Sequence, residues 1–184
     1  MQSHYFIAVP LPTEIKKELK KTFKKESYPF KRWVHEEDLH LTLVFLGACT
    51  NEQLEYINQN GQKILSDMHP FSLQLSSLGT YGKKTEPRIF WMGVKDQPKL
   101  HDLRNKVYEL CEEAGFVLEK RPFSPHITLA RKWVGLDSYN EEGNSGNTLQ
   151  LEWKVENIIL YKSVLTEEPK YKEIYSFSLT GDRE

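Results

Sequence analysis

One pattern occurs twice in this chain, as His40-Leu41-Thr42-Leu43 and as His126-Ile127-Thr128-Leu129. Each copy closes a matching unit. A short run of aromatic and β-branched residues (Tyr5–Val9, Ile89–Val94) comes first, then a stretch with helical spacing, then the tetrapeptide. From Tyr5 to His40 is 35 positions and from Ile89 to His126 is 37. A repeat at that interval predicts two strand–helix–strand halves related by a pseudo-twofold, with their His-x-Thr strands facing one cleft. The expected fold class is therefore α+β: a bilobal, duplicated arrangement of two antiparallel-sheet lobes with outer helices, forming a single domain over residues 1–184.

The remaining segments agree with that outline. Pro10 and Pro12 end the first strand, Thr13 reads as a helix N-cap, and Ile15, Leu19 and Phe23 recur down a helix expected to reach about Ser27. Leu39–Leu46 reads as a strand stopped by Gly47. Thr50 with Gln53 three residues later is a capping box that opens a second helix, with Leu54, Ile57, Ile64 and Leu65 inward. Phe71, Leu73 and Leu75 alternate with polar residues as a half-buried strand, and Gly79, Gly82 and Pro87 suggest a turn-rich connection. A third helix is expected from Lys99 to Ala114, with Gly115 as its stop. Residues 135–149 read as a polar loop, and strands near Asn157–Tyr161 and Ile174–Leu179 finish the chain.

On a strand, residues two apart point the same way, so His40 and Thr42 share a face while Leu41 and Leu43 turn into the core. His126 and Thr128 stand likewise against Ile127 and Leu129. Burying a single imidazole–hydroxyl pair is costly unless it is satisfied, and one such motif is more often a packed core histidine than a site. Two copies on equivalent strands reverse that expectation. Facing imidazoles suit in-line displacement at phosphorus: a neutral one takes a proton from the attacking oxygen, and a protonated one gives a proton to the leaving oxygen. An ordinary imidazole titrates near ~6.5, so either state is accessible near neutrality. The threonine hydroxyls would donate to non-bridging phosphate oxygens. The motif needs no cofactor or metal, and it lacks the carboxylates of a two-metal site. Symmetry does not say which histidine is the acid.

Composition narrows the partner. Net charge is −1 and the sequence pI is about 6.6, which disfavours extended duplex binding and suits recognition of a nucleic-acid end. Cys49 and Cys111 are far apart with no C-x-x-C pair. Apolar runs are short, and no charged-then-apolar leader opens the chain. The expectation is a cytoplasmic protein with no membrane association and no obligate protein partner.

Four blocks carry a family resemblance: Phe6-Ile7-Ala8-Val9-Pro10-Leu11-Pro12, His40-Leu41-Thr42-Leu43-Val44-Phe45-Leu46-Gly47, Pro87-Arg88-Ile89-Phe90-Trp91-Met92-Gly93-Val94 and Arg121-Pro122-Phe123-Ser124-Pro125-His126-Ile127-Thr128-Leu129-Ala130-Arg131. In order and spacing they resemble the RNA 2′,3′-cyclic phosphodiesterases, also called 2′-5′ RNA ligases, of the two-histidine phosphoesterase superfamily. The resemblance implies hydrolysis of RNA or oligonucleotide 2′,3′-cyclic phosphate ends to 2′-phosphomonoesters. It makes His40 the proton donor and His126 the proton acceptor, with Thr42, Thr128 and Arg131 on the phosphate. Some members also join RNA ends through a 2′-5′ linkage. Strict alternation sets residue 131 on the face opposite His126, so Arg131 reaches the cleft only if the strand ends or bulges near Ala130.

Two alternatives share these motifs: a phosphodiesterase for a small cyclic nucleotide or ADP-ribose cyclic phosphate, and a non-catalytic nucleotide- or RNA-binding module. Specificity would lie at the cleft rim and near residues 79–88 and 135–149. The first helix and its exit carry eight basic residues (Lys16, Lys17, Lys20, Lys21, Lys24, Lys25, Lys31, Arg32) against three acidic ones, which reads best as a solvated lysine face. Of the aromatics Phe6, Phe45, Trp91 and Trp133, most are expected in the core. His4 is a candidate for the rim, and His35, His69 and His101 read as surface residues.

Overall fold

The computed structural model describes residues 2–141 and 149–181. Its chain order is β1 (His4–Pro10), α1 (Thr13–Thr22), β2 (Phe30–Trp33), a single 3-10 turn (Glu36–Asp38), β3 (His40–Gly47), α2 (Asn51–Leu65), β4 (Phe71–Gly82), β5 (Pro87–Val94), α3 (Pro98–Glu113), β6 (His126–Trp133), β7 (Glu152–Val155), β8 (Asn157–Ser163) and β9 (Tyr171–Ser178). The strands follow one another as β7-β4-β5-β6-β3-β1-β8-β9, with β2 added beside β6. Every pairing is antiparallel.

That order reads the same outward from its centre. On one side β6 is followed by β5, β4 and β7; on the other, β3 is followed by β1, β8 and β9. The α+β class and the duplication expected from the repeated tetrapeptide are both present. The two His-x-Thr strands are the innermost pair, and they meet at Leu41 opposite Ile127. Both residues are fully buried. Beyond that point β3 and β6 part, and β2 takes the vacated edge of β6, pairing Phe30 with Trp133 and Arg32 with Arg131. Helix α3 packs against β3 of the opposite half and against α2, which itself reaches β9, so the helices brace the seam from behind.

Several local expectations are met and several are corrected. The capping box at α2 is formed in both directions between Thr50 and Gln53. Thr13 is not an N-cap: Pro12 occupies that place and Thr13 is the first helical residue. The helix stops at Thr22, because Phe23 leaves it in an extended conformation to bury its ring against Tyr28 and Phe90. Strand β4 runs on to Gly82, so Gly79 lies inside a strand. A side chain at Gly79 would collide with the Trp91 indole, which lies over it from the next strand. Strands β2 and β7 are additional to those expected. Of the polar loop at 135–149, residues 142–148 lie outside the described residues.

The seam concentrates burial in few residues, so truncating one should be costly. Leu41→Ala is expected to lower stability by ~2–5 kcal/mol. The check is a urea titration, in which the midpoint should drop while the slope stays the same. A loss below ~1 kcal/mol would mean the halves do not depend on that contact.

Candidate active site

Leu41 opposite Ile127 in an antiparallel ladder sets His40 beside Thr128 and Thr42 beside His126, all four on the face away from the core. The motifs therefore cross at the pseudo-twofold. They line one cavity of about 590 Å³, whose walls also include Phe45, Arg131 and Tyr171.

Each imidazole is held in the same way. The Nδ1–H of His40 donates to the backbone carbonyl of Asp38 at 2.7 Å, and that of His126 to the carbonyl of Ser124 at 2.8 Å. A carbonyl can only accept, so Nδ1 carries the proton and Nε2 is left with its lone pair. In His40 that Nε2 accepts from the Thr42 hydroxyl at 2.8 Å. Each ring also meets a tyrosine edge-on: Tyr171 on His40 (5.2 Å, 90°) and Tyr81 on His126 (5.1 Å, 88°). Phe6 lies 4.7 Å from the His40 ring, and Trp91, seated over Gly79, lies 6.1 Å from His126.

The symmetry stops at the electrostatics. Burial is the largest influence on both rings and favours the neutral form. His40 is lowered to about 4, against the opposing pull of the Asp38 carbonyl, with the charges of His126 and Arg131 acting in the same direction as burial. His126 is lowered mainly by burial and also by Arg131, while its bond to Ser124 opposes the shift. His40 thus sits deeper, and both rings feel a positive neighbour.

Arg131 reaches the cleft by a bulge. Trp91 pairs with Thr128 and Phe90 with Ala130, so Leu129 is an extra residue on β6. Leu129 and Ala130 consequently both point inward, and Arg131 returns to the face of His126. The irregularity that strict alternation demanded near Ala130 lies at Leu129. The first half repeats it: Ala8 pairs with Thr42 and Ile7 with Val44, which makes Leu43 the extra residue. The counterpart of Arg131, five residues after its histidine, is Phe45, 60% exposed and lining the same cavity.

Three features escaped sequence reasoning. Asp38 is buried, and its carboxylate accepts from the backbone N–H groups of Lys170 and Tyr171 at 2.9 and 3.1 Å. It thereby fixes the start of β9 and the tyrosine that abuts His40. An acidic residue two places before a strand histidine was the available signal, but its partners lie more than 130 residues away. Tyr81 and Tyr171 carried no motif at all. His35, expected as an ordinary surface residue, lines the cavity and caps the 3-10 turn by accepting from the Glu37 N–H. His4 is at the rim as expected, edge-on to Phe45. Among the described residues, no group of three or more His, Cys, Asp and Glu side chains is placed to hold a metal ion, and no helix is long and apolar enough to cross a membrane.

Known proteins resemble the chain in sequence and in fold. Residues 11–167 match the model of the 2′-5′ RNA ligase superfamily. A Geobacillus stearothermophilus protein named RNA 2′,3′-cyclic phosphodiesterase is 43% identical over 98% of this chain, which spans 58% of that relative's length. A Bacillus subtilis protein of the same name is 35% identical, with 98% of each chain covered. Among solved structures, Escherichia coli LigT complexed with 3′-AMP superposes with a TM-score of 0.79 at 26% identity, covering 98% of this chain and 99% of the other. A Thermus thermophilus protein gives 0.77 at 30% identity, covering 98% and 100%. The chain belongs to the 2′-5′ RNA ligase superfamily, within its RNA 2′,3′-cyclic phosphodiesterase family.

Proposed function

We propose that this chain, as one bilobal catalytic unit over residues 1–184, hydrolyses 2′,3′-cyclic phosphate ends of RNA to 2′-phosphomonoesters by paired imidazole acid–base catalysis. The observation that supports this most is the crossing of the two motifs at Leu41 and Ile127, which turns two histidines and two threonine hydroxyls toward one cavity. Relatives named RNA 2′,3′-cyclic phosphodiesterase supply the substrate class.

In the proposed step, Arg131, Thr42 and Thr128 hold the non-bridging oxygens of the cyclic phosphate. His126 accepts a proton from water at Nε2 as the water oxygen bonds to phosphorus. The P–O3′ bond breaks on the opposite side, and O3′ takes a proton from His40 Nε2. The products are a 2′-phosphate and a free 3′-hydroxyl, with the proton moved from one imidazole to the other. A 5′-hydroxyl in the place of water would form a 2′-5′ linkage through the same transfers. The acid role of His40 follows the family resemblance; burial favours its neutral form, so donation to the leaving oxygen requires the bound phosphate anion to raise its affinity for a proton.

The direct test is incubation with an RNA carrying a 2′,3′-cyclic end, with chelator present, and identification of the product. A 2′-phosphate is expected. Absence of product, or activity lost on chelation, would sink the proposal, and a 3′-phosphate would reverse the assigned regiochemistry.

His40→Ala and His126→Ala should each lower turnover by ~10²–10⁴. An aryl phosphodiester, whose leaving group needs no proton, separates the roles: His40→Ala should lose less on it than on RNA, His126→Ala equally much on both. In the wild type the working state needs one protonated imidazole, and both rings titrate below their usual range when free. kcat/KM should therefore peak on the acid side of ~6.5 and fall as pH rises through neutrality. A kcat/KM that climbs through neutral pH to a plateau would remove the imidazolium from the mechanism.

A further inference from the structure

The bulge that delivers Arg131 to the cleft has a neighbour on the adjacent strand. Arg32 of β2 stands directly across from Arg131 in an antiparallel pair, so both side chains leave the same face of the sheet and both line the cavity. Their Cβ atoms are then ~4.5–5.5 Å apart, and like charges placed so are mutually destabilising. Guanidinium stays protonated in proteins, so the pair cannot relieve that repulsion by losing a charge.

Neighbouring groups do not relieve it either. Among the described residues neither arginine has a carboxylate partner. Asp38, the carboxylate lining the cavity, is engaged by the backbone of Lys170 and Tyr171. The lysines on this flank have structural duties: Lys16 donates to the carbonyl of Glu37, and Lys20 to the carbonyl of Val34 while lying over the Trp33 ring. Arg32 therefore separates from the lysine-rich face to which its position in the chain assigns it, and stands in the cleft uncompensated.

A cyclic phosphodiester carries one negative charge, and Arg131 with the two threonines already addresses it. A second anion held one strand away must be covalently close to the first. In an RNA end the nearest such group is the 5′-phosphodiester of the same terminal nucleotide, which a free cyclic mononucleotide lacks. We propose that Arg32 binds this 5′-phosphate, so that the cleft is built for the end of a chain in preference to a nucleoside cyclic phosphate. The assignment rests on the phosphodiesterase function proposed above.

Binding to product analogues tests it without requiring turnover. Titration calorimetry would compare adenosine 2′-monophosphate with adenosine 2′,5′-bisphosphate at low salt. The wild type should favour the bisphosphate by about tenfold or more, the range of a charge-assisted hydrogen bond. In Arg32→Ala that preference should collapse toward unity, and Arg32→Lys should restore part of it. Equal affinities in the wild type, or an undiminished preference in Arg32→Ala, would overturn the assignment. Turnover of an RNA with a 2′,3′-cyclic end by the wild type is read separately: its absence would count against the phosphodiesterase function, whatever the binding ratio.

Discussion

Everything in the cleft depends on one cross-strand contact, Leu41 against Ile127 at the centre of the sheet. An antiparallel pair turns neighbouring residues to alternate faces, so burying these two obliges their flanking residues to face outward. The flanking residues are the histidines and threonines. A one-residue slip of β3 against β6 would turn His40 and Thr42 into the core and Leu41 into the cavity. Hydrophobic packing and chemistry are thus set by the same register, and neither can change alone.

The two halves present one histidine arrangement under different conditions. Carbonyl, imidazole, threonine and edge-on tyrosine recur on both sides. What differs is depth and surroundings: His40 lies between Phe6 and Tyr171, while His126 is closer to solvent. Duplication supplies two equivalent bases, and unequal burial then separates their affinities for a proton. The deeper ring, His40, holds a proton less readily than His126, a difference that the shared geometry alone would not produce.

Much of this is legible in the sequence, because period-2 alternation and the repeat interval are strong local signals. The helices, the two His-x-Thr strands and the capping box all follow from short-range pattern. Register was legible only by its consequence: Arg131 could not share a face with His126 unless the strand was irregular, and Leu129 is where the extra residue falls. The misses have tertiary causes. Phe30–Trp33 carries two basic residues in four and forms a strand because β6 offers it an edge. The first helix ends early because Phe23 is worth more in the aromatic cluster than in another helical turn. Asp38 and the tyrosines act through partners that no window of sequence contains.

The carboxylate of Asp38 also sets when the site comes into being. Its bonds to Lys170 and Tyr171 close a loop of 132 and 133 residues, among the longest separations in the fold. Closing a span of that length costs chain entropy, which the packing of the last strand must offset. The tyrosine wall beside His40 comes from residue 171, so a chain synthesised only through β6 holds both His-x-Thr strands without it. Such a chain carries both histidines without the tyrosine ring that encloses His40, and the enclosure is completed only when the last strand docks.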